Sequence, residues 1–208
     1  MDTVTDNAEP HRPPPNRRER KRQEIRDRLY TCAIELFLGQ GVDATTMDEI
    51  AERADTARAT VFNHFPQKGA FLQEWGRRRR NEVVRMMAAE HTADLPAADR
   101  LRRYLGALAE LNTSSRTATT TLMEAAVRLG GAISLPIHDV ELAKIIEDGR
   151  HAGEFRTDAH AAQAGTVLSA GYFAAVVMWI SSEPEPFDLG TYLDGVLDLV
   201  LRGLADRD

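Results

Sequence analysis

The chain has one cysteine among 208 residues, Cys32, so no disulfide forms within it, and a lone thiol suits a reducing compartment. Aromatic residues are few, at 6%, although hydrophobic residues in total reach 43%, enough to build a real core. No segment approaches the roughly 18 unbroken apolar residues of a membrane span. The first residues, MDTVTDNAEPHRPPPNRRERKRQ, carry charges with no apolar stretch behind them, unlike a secretory signal. Gly-rich phosphate loops, nucleophile elbows and paired-carboxylate motifs are missing. These absences predict a soluble, cytoplasmic protein that is not an enzyme and holds no cofactor.

Charge of one sign prevails overall: 32 Asp and Glu against 26 Lys and Arg give a net charge of −6. The excess is uneven. Arg12 to Arg85 holds 16 basic residues against 11 acidic, whereas Met86 to Asp208 holds 10 against 18. The first stretch is able to face phosphate and the second is not.

What is present is helical periodicity, with no convincing period-two strand and no internal repeat, so the predicted fold class is all-α. Residues 1–16 are polar and Pro-rich and are expected to form a disordered arm. Ile25, Leu29, Cys32, Ala33, Leu36 and Phe37 recur at spacings of three and four and mark a buried helical face, which Gly39 and Gly41 end. Thr46-Met-Asp-Glu49 is a capping box opening a second helix with Met47, Ile50, Ala51 and Ala54 on its apolar side. A break at Asp55–Thr56 leads to a third short helix, stopped by Pro66. A long helix from about Lys68 to His91 follows, then further helices near 97–112, 115–130, 137–152, 158–181 and 188–205.

Three short helices with a tight break between the second and third meet the requirement of a helix-turn-helix. Burying Val61 and Phe65 leaves Arg58, Ala59, Phe62 and Asn63 on the opposite side of the third helix, free to enter a major groove. Thr60, His64 and Lys68 fall at the edges, where phosphate oxygens would lie. Arg58 is the leading candidate for base readout, since a bidentate arginine–guanine contact is worth ~1–3 kcal/mol of discrimination. Its alternative is an arginine that touches phosphate or water. The run Arg17, Arg18, Arg20, Lys21 and Arg22 reads as an arm before the first helix, reaching a minor groove or staying solvated. Arg77–Arg80 lie on a helix and point around most of its circumference, so most are expected to be solvated.

The order and spacing of A33-x-x-L36-F37-x-x-x-G41, T45-T46-x-x-x-I50-A51 and T60-V61-F62-N63-H64-F65-x-x-K68, with Leu72, resemble the tetracycline-repressor (TetR) family of regulators. I145-I146-E147-D148-G149, G153-E154-F155-R156 and L201-R202-G203-L204 resemble that family's looser C-terminal pattern. The resemblance implies a helix-turn-helix DNA-binding domain over 17–75 and a helical ligand-binding and dimerisation domain over 76–208. It implies that Thr46 caps the second helix and touches phosphate, with Arg58, Ala59, Phe62 and Asn63 facing bases and Thr60, His64 and Lys68 on the backbone. Asp55 stands where the family usually has Gly, and Phe62 where it often has Tyr.

The implied partners are operator DNA, a small-molecule effector and a second copy of the chain, with no membrane. The dimer would form through the last two helices. These carry a stripe of Leu189, Leu193, Val196, Val200 and Leu204, and small residues Ala164, Gly165, Ala170, Gly171, Ala174 and Ala175. An intramolecular core is the other reading of that stripe. The effector cavity would be lined by residues such as Met86, Leu105, Leu108, Met123, Val127, Phe173 and Trp179, each of which also reads as plain core. His138, His151 and His160 lack compact metal spacing and read as surface histidines, and Cys32 reads as a packed thiol. Two rival readings stay open: a helical carrier or enzyme with an incidental three-helix front, and a sequence-independent DNA-packaging protein.

Overall fold

The computed structural model describes residues 16–129 and 138–205. The expected disordered arm, all but Asn16, and the Gly130-Gly131 and Pro136 breaks lie outside the described residues. Among the described residues, nine α-helices follow in order: α1 (Arg17–Gln40), α2 (Met47–Arg53), α3 (Arg58–His64), α4 (Lys68–Ala89), α5 (Ala97–Ser114), α6 (Arg116–Arg128), α7 (Asp139–His151), α8 (Ala161–Trp179) and α9 (Leu189–Leu204). The described residues contain no strand, as the periodicity predicts.

The first helix starts earlier than its apolar stripe suggests. Asn16 accepts from the N–H groups of Arg18 and Glu19 while Glu19 returns a bond to the Asn16 N–H at 2.8 Å. This capping box places the basic run 17–22 inside the first turns of α1, not on an arm ahead of it. Of the two expected stops, Gly39 lies within α1 and Gly41 ends it with φ 89°, a positive value that glycine adopts without a Cβ clash.

Leu29, Ala33 and Phe37 of α1 are fully buried, with Ile25, Cys32 and Leu36 packed partly buried beside them. An aromatic trio joins three elements here. Phe65 at the end of α3 stacks on Phe71 of α4 at 3.9 Å, and Phe71 meets Phe37 of α1 edge-on at 6.0 Å.

In the helical body, α8 packs chiefly on α7 and α9, and α5 lies against α9, α4 and α7. Two glycines permit the closest approaches. A Cβ on Gly165 of α8 would lie 2.7 Å from the Asp139 carbonyl oxygen, and one on Gly149 of α7 would strike Ala97 and Phe155. The small residues of α8 therefore first serve contacts within the chain. So does the stripe on α9: Leu189, Leu193 and Leu204 are buried, with Leu197, and Val196 and Val200 are half-buried. Its leucines thus pack within the chain, as the intramolecular reading expects. Helix α8 carries no charged residue and is long and apolar enough to cross a membrane by length and composition, although Gln163, Thr166 and Ser169 interrupt any unbroken apolar run. Its packing on α7 and α9 gives it a place as a helix of the bundle.

Candidate nucleic-acid interface and internal cavity

Thr46 caps α2 by both halves of the box: its hydroxyl accepts from the Glu49 N–H at 3.1 Å, and Glu49 Oε2 accepts from the Thr46 N–H at 2.6 Å. The turn into α3 closes through Asp55 N–H to Glu52 O and Thr56 N–H to Ala51 O, both 3.0 Å. Asp55 takes φ 46°, the left-handed region that suits glycine best and that aspartate enters more readily than most residues. After α3, Phe65 becomes extended (φ −139°, ψ 96°), as the residue before proline must.

This geometry gives α3 two sides. Val61 and Phe65 are fully buried; Arg58, Ala59, Phe62 and Asn63 are exposed, with Thr60 and His64 half-buried at the edges. Arg58 is not idle on that face. Its guanidinium pairs with Asp48 of α2 at 3.1 Å and sits 5.4 Å from the centre of the Phe62 ring. Both partners of the pair are well exposed, so water screens it and an incoming phosphate or base edge can replace it. Burial, then Arg22 and Arg26, push the His64 imidazole below its usual pKa, so it offers an N–H rather than a charge at neutral pH.

Lys68 occupies a different place from the phosphate edge. Its ammonium donates to the carbonyls of Val42, Asp43 and Thr45 at 2.7, 3.0 and 3.1 Å, which uses all three donors on the α1–α2 loop. The residue braces the helix-turn-helix from behind.

Sequence reasoning missed the hub beneath α3. Glu74 of α4 has a 1% exposed side chain and receives Arg26 of α1 at 3.0 Å, Arg78 at 2.9 Å and Arg77. Arg26 also donates to the His64 carbonyl at 3.0 Å and lies 4.4 Å from the Phe65 ring centre; Arg78 also pairs with Asp27 and covers Tyr30. Burial would raise the Glu74 pKa, but hydrogen bonds from Arg77, Arg26 and Arg78 outweigh it and hold it down at about 2. The signal was Glu74 three and four residues ahead of Arg77 and Arg78. The expectation of solvation fails for most of that arginine run, because Arg79 turns inward as well.

A partly enclosed cavity lies between α4, α6 and α8, with about 690 Å³ of empty space, its mouth included. Leu72, Trp75 and Gly76 of α4, Met123 and Ala126 of α6, Leu129, and Phe173 of α8 supply most of its wall; Gly69, Gln73, Arg79, His138, Ser169 and Tyr172 complete it. Of the residues expected there, Met123 and Phe173 line this cavity. Leu105, Leu108 and Trp179 are buried in the core outside its wall, Met86 is half-buried beside the core, and Val127 is 39% exposed.

His138 is no surface histidine. It is 5% exposed, its Nδ1 lies 3.0 Å from the Tyr104 hydroxyl, and burial, then Arg80 and Arg79, push its pKa down to about 3. His151 and His160 are exposed. Cys32 packs partly buried, and burial, then Glu35, raises its pKa and suppresses the thiolate.

The family profile described as bacterial regulatory proteins, tetR family, matches residues 29–75, the segment from the middle of α1 into α4. Residues 29–75 therefore carry a tetR-family segment. Over 54 residues it is 44% identical to the HTH-type transcriptional regulator TcmR of Streptomyces glaucescens, and over 51 residues 41% identical to SrpR of Pseudomonas putida. Each alignment covers about a quarter of this chain (26% and 24%) and 24% of the relative. Among solved structures this chain is similar to Thermus thermophilus FadR, a tetR-family repressor in complex with lauroyl-CoA. That likeness has a TM-score of 0.69 and 28% identity, covering 88% of this chain and 96% of that one. It shares the fold of Bacillus subtilis FadR at a TM-score of 0.58 and 18% identity, over 86% and 98% of the two chains.

Proposed function

We propose that this tetR-family regulator is a repressor that binds a palindromic operator as a dimer and releases it when a mostly apolar small molecule enters the α4–α6–α8 cavity. The observation that carries this reading is the exposed face of α3, where Arg58, Ala59, Phe62 and Asn63 stand clear of a helix whose other side is fully buried. Arg58 exchanges Asp48 for a base edge, Asn63 and Phe62 enter the groove beside it, and Thr46, Thr60 and His64 meet phosphates. Lys68 acts by holding the loop that carries Thr45 and Thr46.

A second copy supplies the second half-site. Val167 and Met178 on α8, with Ala170 and Ala174 between them, and Tyr192 and Leu199 on α9 form exposed apolar faces suited to self-association. Two α3 helices about one DNA turn apart, ~34 Å, then read two-fold-related sequences. An effector favouring another spacing weakens DNA binding, with a coupling on the order of 1–3 kcal/mol. Helix α4 carries both Glu74, which holds α1, and Trp75, which lines the cavity. The apolar acyl chain of the Thermus thermophilus complex supports an apolar effector here. The setting is cytoplasmic and no catalysis is required.

Selecting bound sites from random duplex DNA with the purified full chain tests this reading. A two-fold-symmetric consensus is expected; recovery of no enriched sequence would overturn it.

A further inference from the structure

We propose that the cavity's occupant is an organic monocarboxylate with an apolar body, its carboxylate paired with Arg79 and its body lying against Leu72, Trp75, Met123 and Phe173. This deepens the effector reading above and rests on it.

The argument starts from an unbalanced charge. A guanidinium stays protonated in any protein setting. Arg79 is partly buried, faces the cavity, and lies 4.7 Å from the Trp75 ring centre. Its hydrogen bonds go to Asn112 Oδ1 at 2.9 Å, Ser115 Oγ at 2.7 Å and Thr119 Oγ1 at 3.2 Å. All three acceptors are neutral. They fix the group's direction and leave its charge in place.

Other partly buried arginines are treated differently. Arg26, Arg78, Arg100, Arg103, Arg116 and Arg150 each meet a carboxylate within ion-pairing distance. Among the described residues only Arg79 and its neighbour Arg80 are partly buried arginines without one. Segment 130–137 (GGAISLPI), which joins α6 to α7 and whose structure is outside the described residues, contains no acidic residue to supply it. The two charges are felt nearby, since Arg80 and Arg79 help burial to depress the His138 pKa.

Donors remain free to meet an anion. Three of Arg79's five N–H groups are committed, and two remain. The Tyr172 hydroxyl, also in the cavity wall, accepts from Asn112 Nδ2 at 3.0 Å and keeps its own proton to give. A planar monoanion satisfies both groups. An alcohol, an amide or a thioester carbonyl fills the apolar space but leaves the guanidinium uncompensated.

The test compares 1-naphthoate and octanoate with their uncharged carboxamides, and with octanoyl-CoA, by calorimetric titration of the full chain. At least one acid is expected to bind ten-fold or more tighter than its own amide. Arg79→Gln is expected to erase that preference and Arg79→Lys to keep part of it, with circular dichroism confirming the helical fold of each. Equal binding of acids and amides, binding of octanoyl-CoA alone, or no binding of any probe would overturn the proposal, as would a preference that survives in Arg79→Gln. If Arg79→Gln does not fold, the wild-type comparison together with Tyr172→Phe, expected to weaken the acid and spare the amide, decides the matter. DNA-site selection separates the two readings. A symmetric consensus without an acid preference removes only this inference; an acid preference without any enriched DNA removes only the regulator.

Discussion

The helix-turn-helix and the helical body place their polar groups in opposite directions. On α3, Arg58 and Asn63 face outward, and Asp48, which pairs with Arg58, is about as exposed as Arg58 itself. In the body, Arg79, His138 and Tyr172 are turned inward at a cavity, with buried Asn112 and Thr119 bonded to Arg79. Under the proposed function, outward groups meet a large ligand whose charge water already screens. Under the same proposal, inward groups meet a small one that displaces water, so each unmatched charge there bears on what the ligand has to bring. The Glu74 cluster sits where the two regions meet and belongs to both.

Breaking that junction is the largest expected effect. Glu74→Ala strands Arg26, Arg77 and Arg78 around an empty site and is expected to cost on the order of 3 kcal/mol, moderated because the arginines reach water. Urea unfolding measures it; a loss under about 1 kcal/mol would make the cluster ornamental.

Next comes the outward face. Arg58→Ala is expected to leave stability unchanged and to weaken operator binding by ~1–3 kcal/mol, relaxing preference at one position per half-site. Equal losses on operator and scrambled DNA in titrations would make Arg58 a phosphate contact instead.

The turn between α2 and α3 gives a smaller effect. Asp55→Val forces a β-branched residue to φ 46° and should destabilise by ~1–2 kcal/mol, while Asp55→Gly is close to neutral. Similar melting temperatures for both variants would contradict the left-handed assignment.

The inward network supplies the smallest. His138 is buried and neutral with its pKa lowered to about 3, so the unfolded chain binds its proton first as pH falls. The stability it confers is complete above its ordinary value near 6.5 and drains between there and about 3. Between pH 6.5 and 5.5 the loss is on the order of 1 kcal/mol. His138→Gln should flatten that part of the stability–pH curve, whatever its effect at pH 8.

The contrast also explains what was legible in the sequence. The Thr46–Glu49 box, the Gly41 stop, the Pro66 stop and the two sides of α3 are local, written within four residues of where they act. Even the early start of α1 was present as Asn16 and Glu19, about two turns ahead of the apolar stripe that begins at Ile25. Lys68 misled because its spacing from α3 suits phosphate while its ammonium is taken up by carbonyls 23 to 26 residues back. The cavity was least legible. Arg79 meets Asn112 and Thr119 across 33 and 40 residues, and Tyr104 meets His138 across 34. No periodicity encodes contacts at such separations, and Leu105, Leu108 and Trp179 are as apolar as the residues that do line the wall.

The most direct measurement is a hydroxyl-radical footprint of the full chain on its selected site. The account predicts two protected patches related by two-fold symmetry, their centres about one helical turn (~34 Å) apart, with Arg58→Ala weakening both equally. A single unsymmetrical patch, or uniform protection along the duplex, would contradict it.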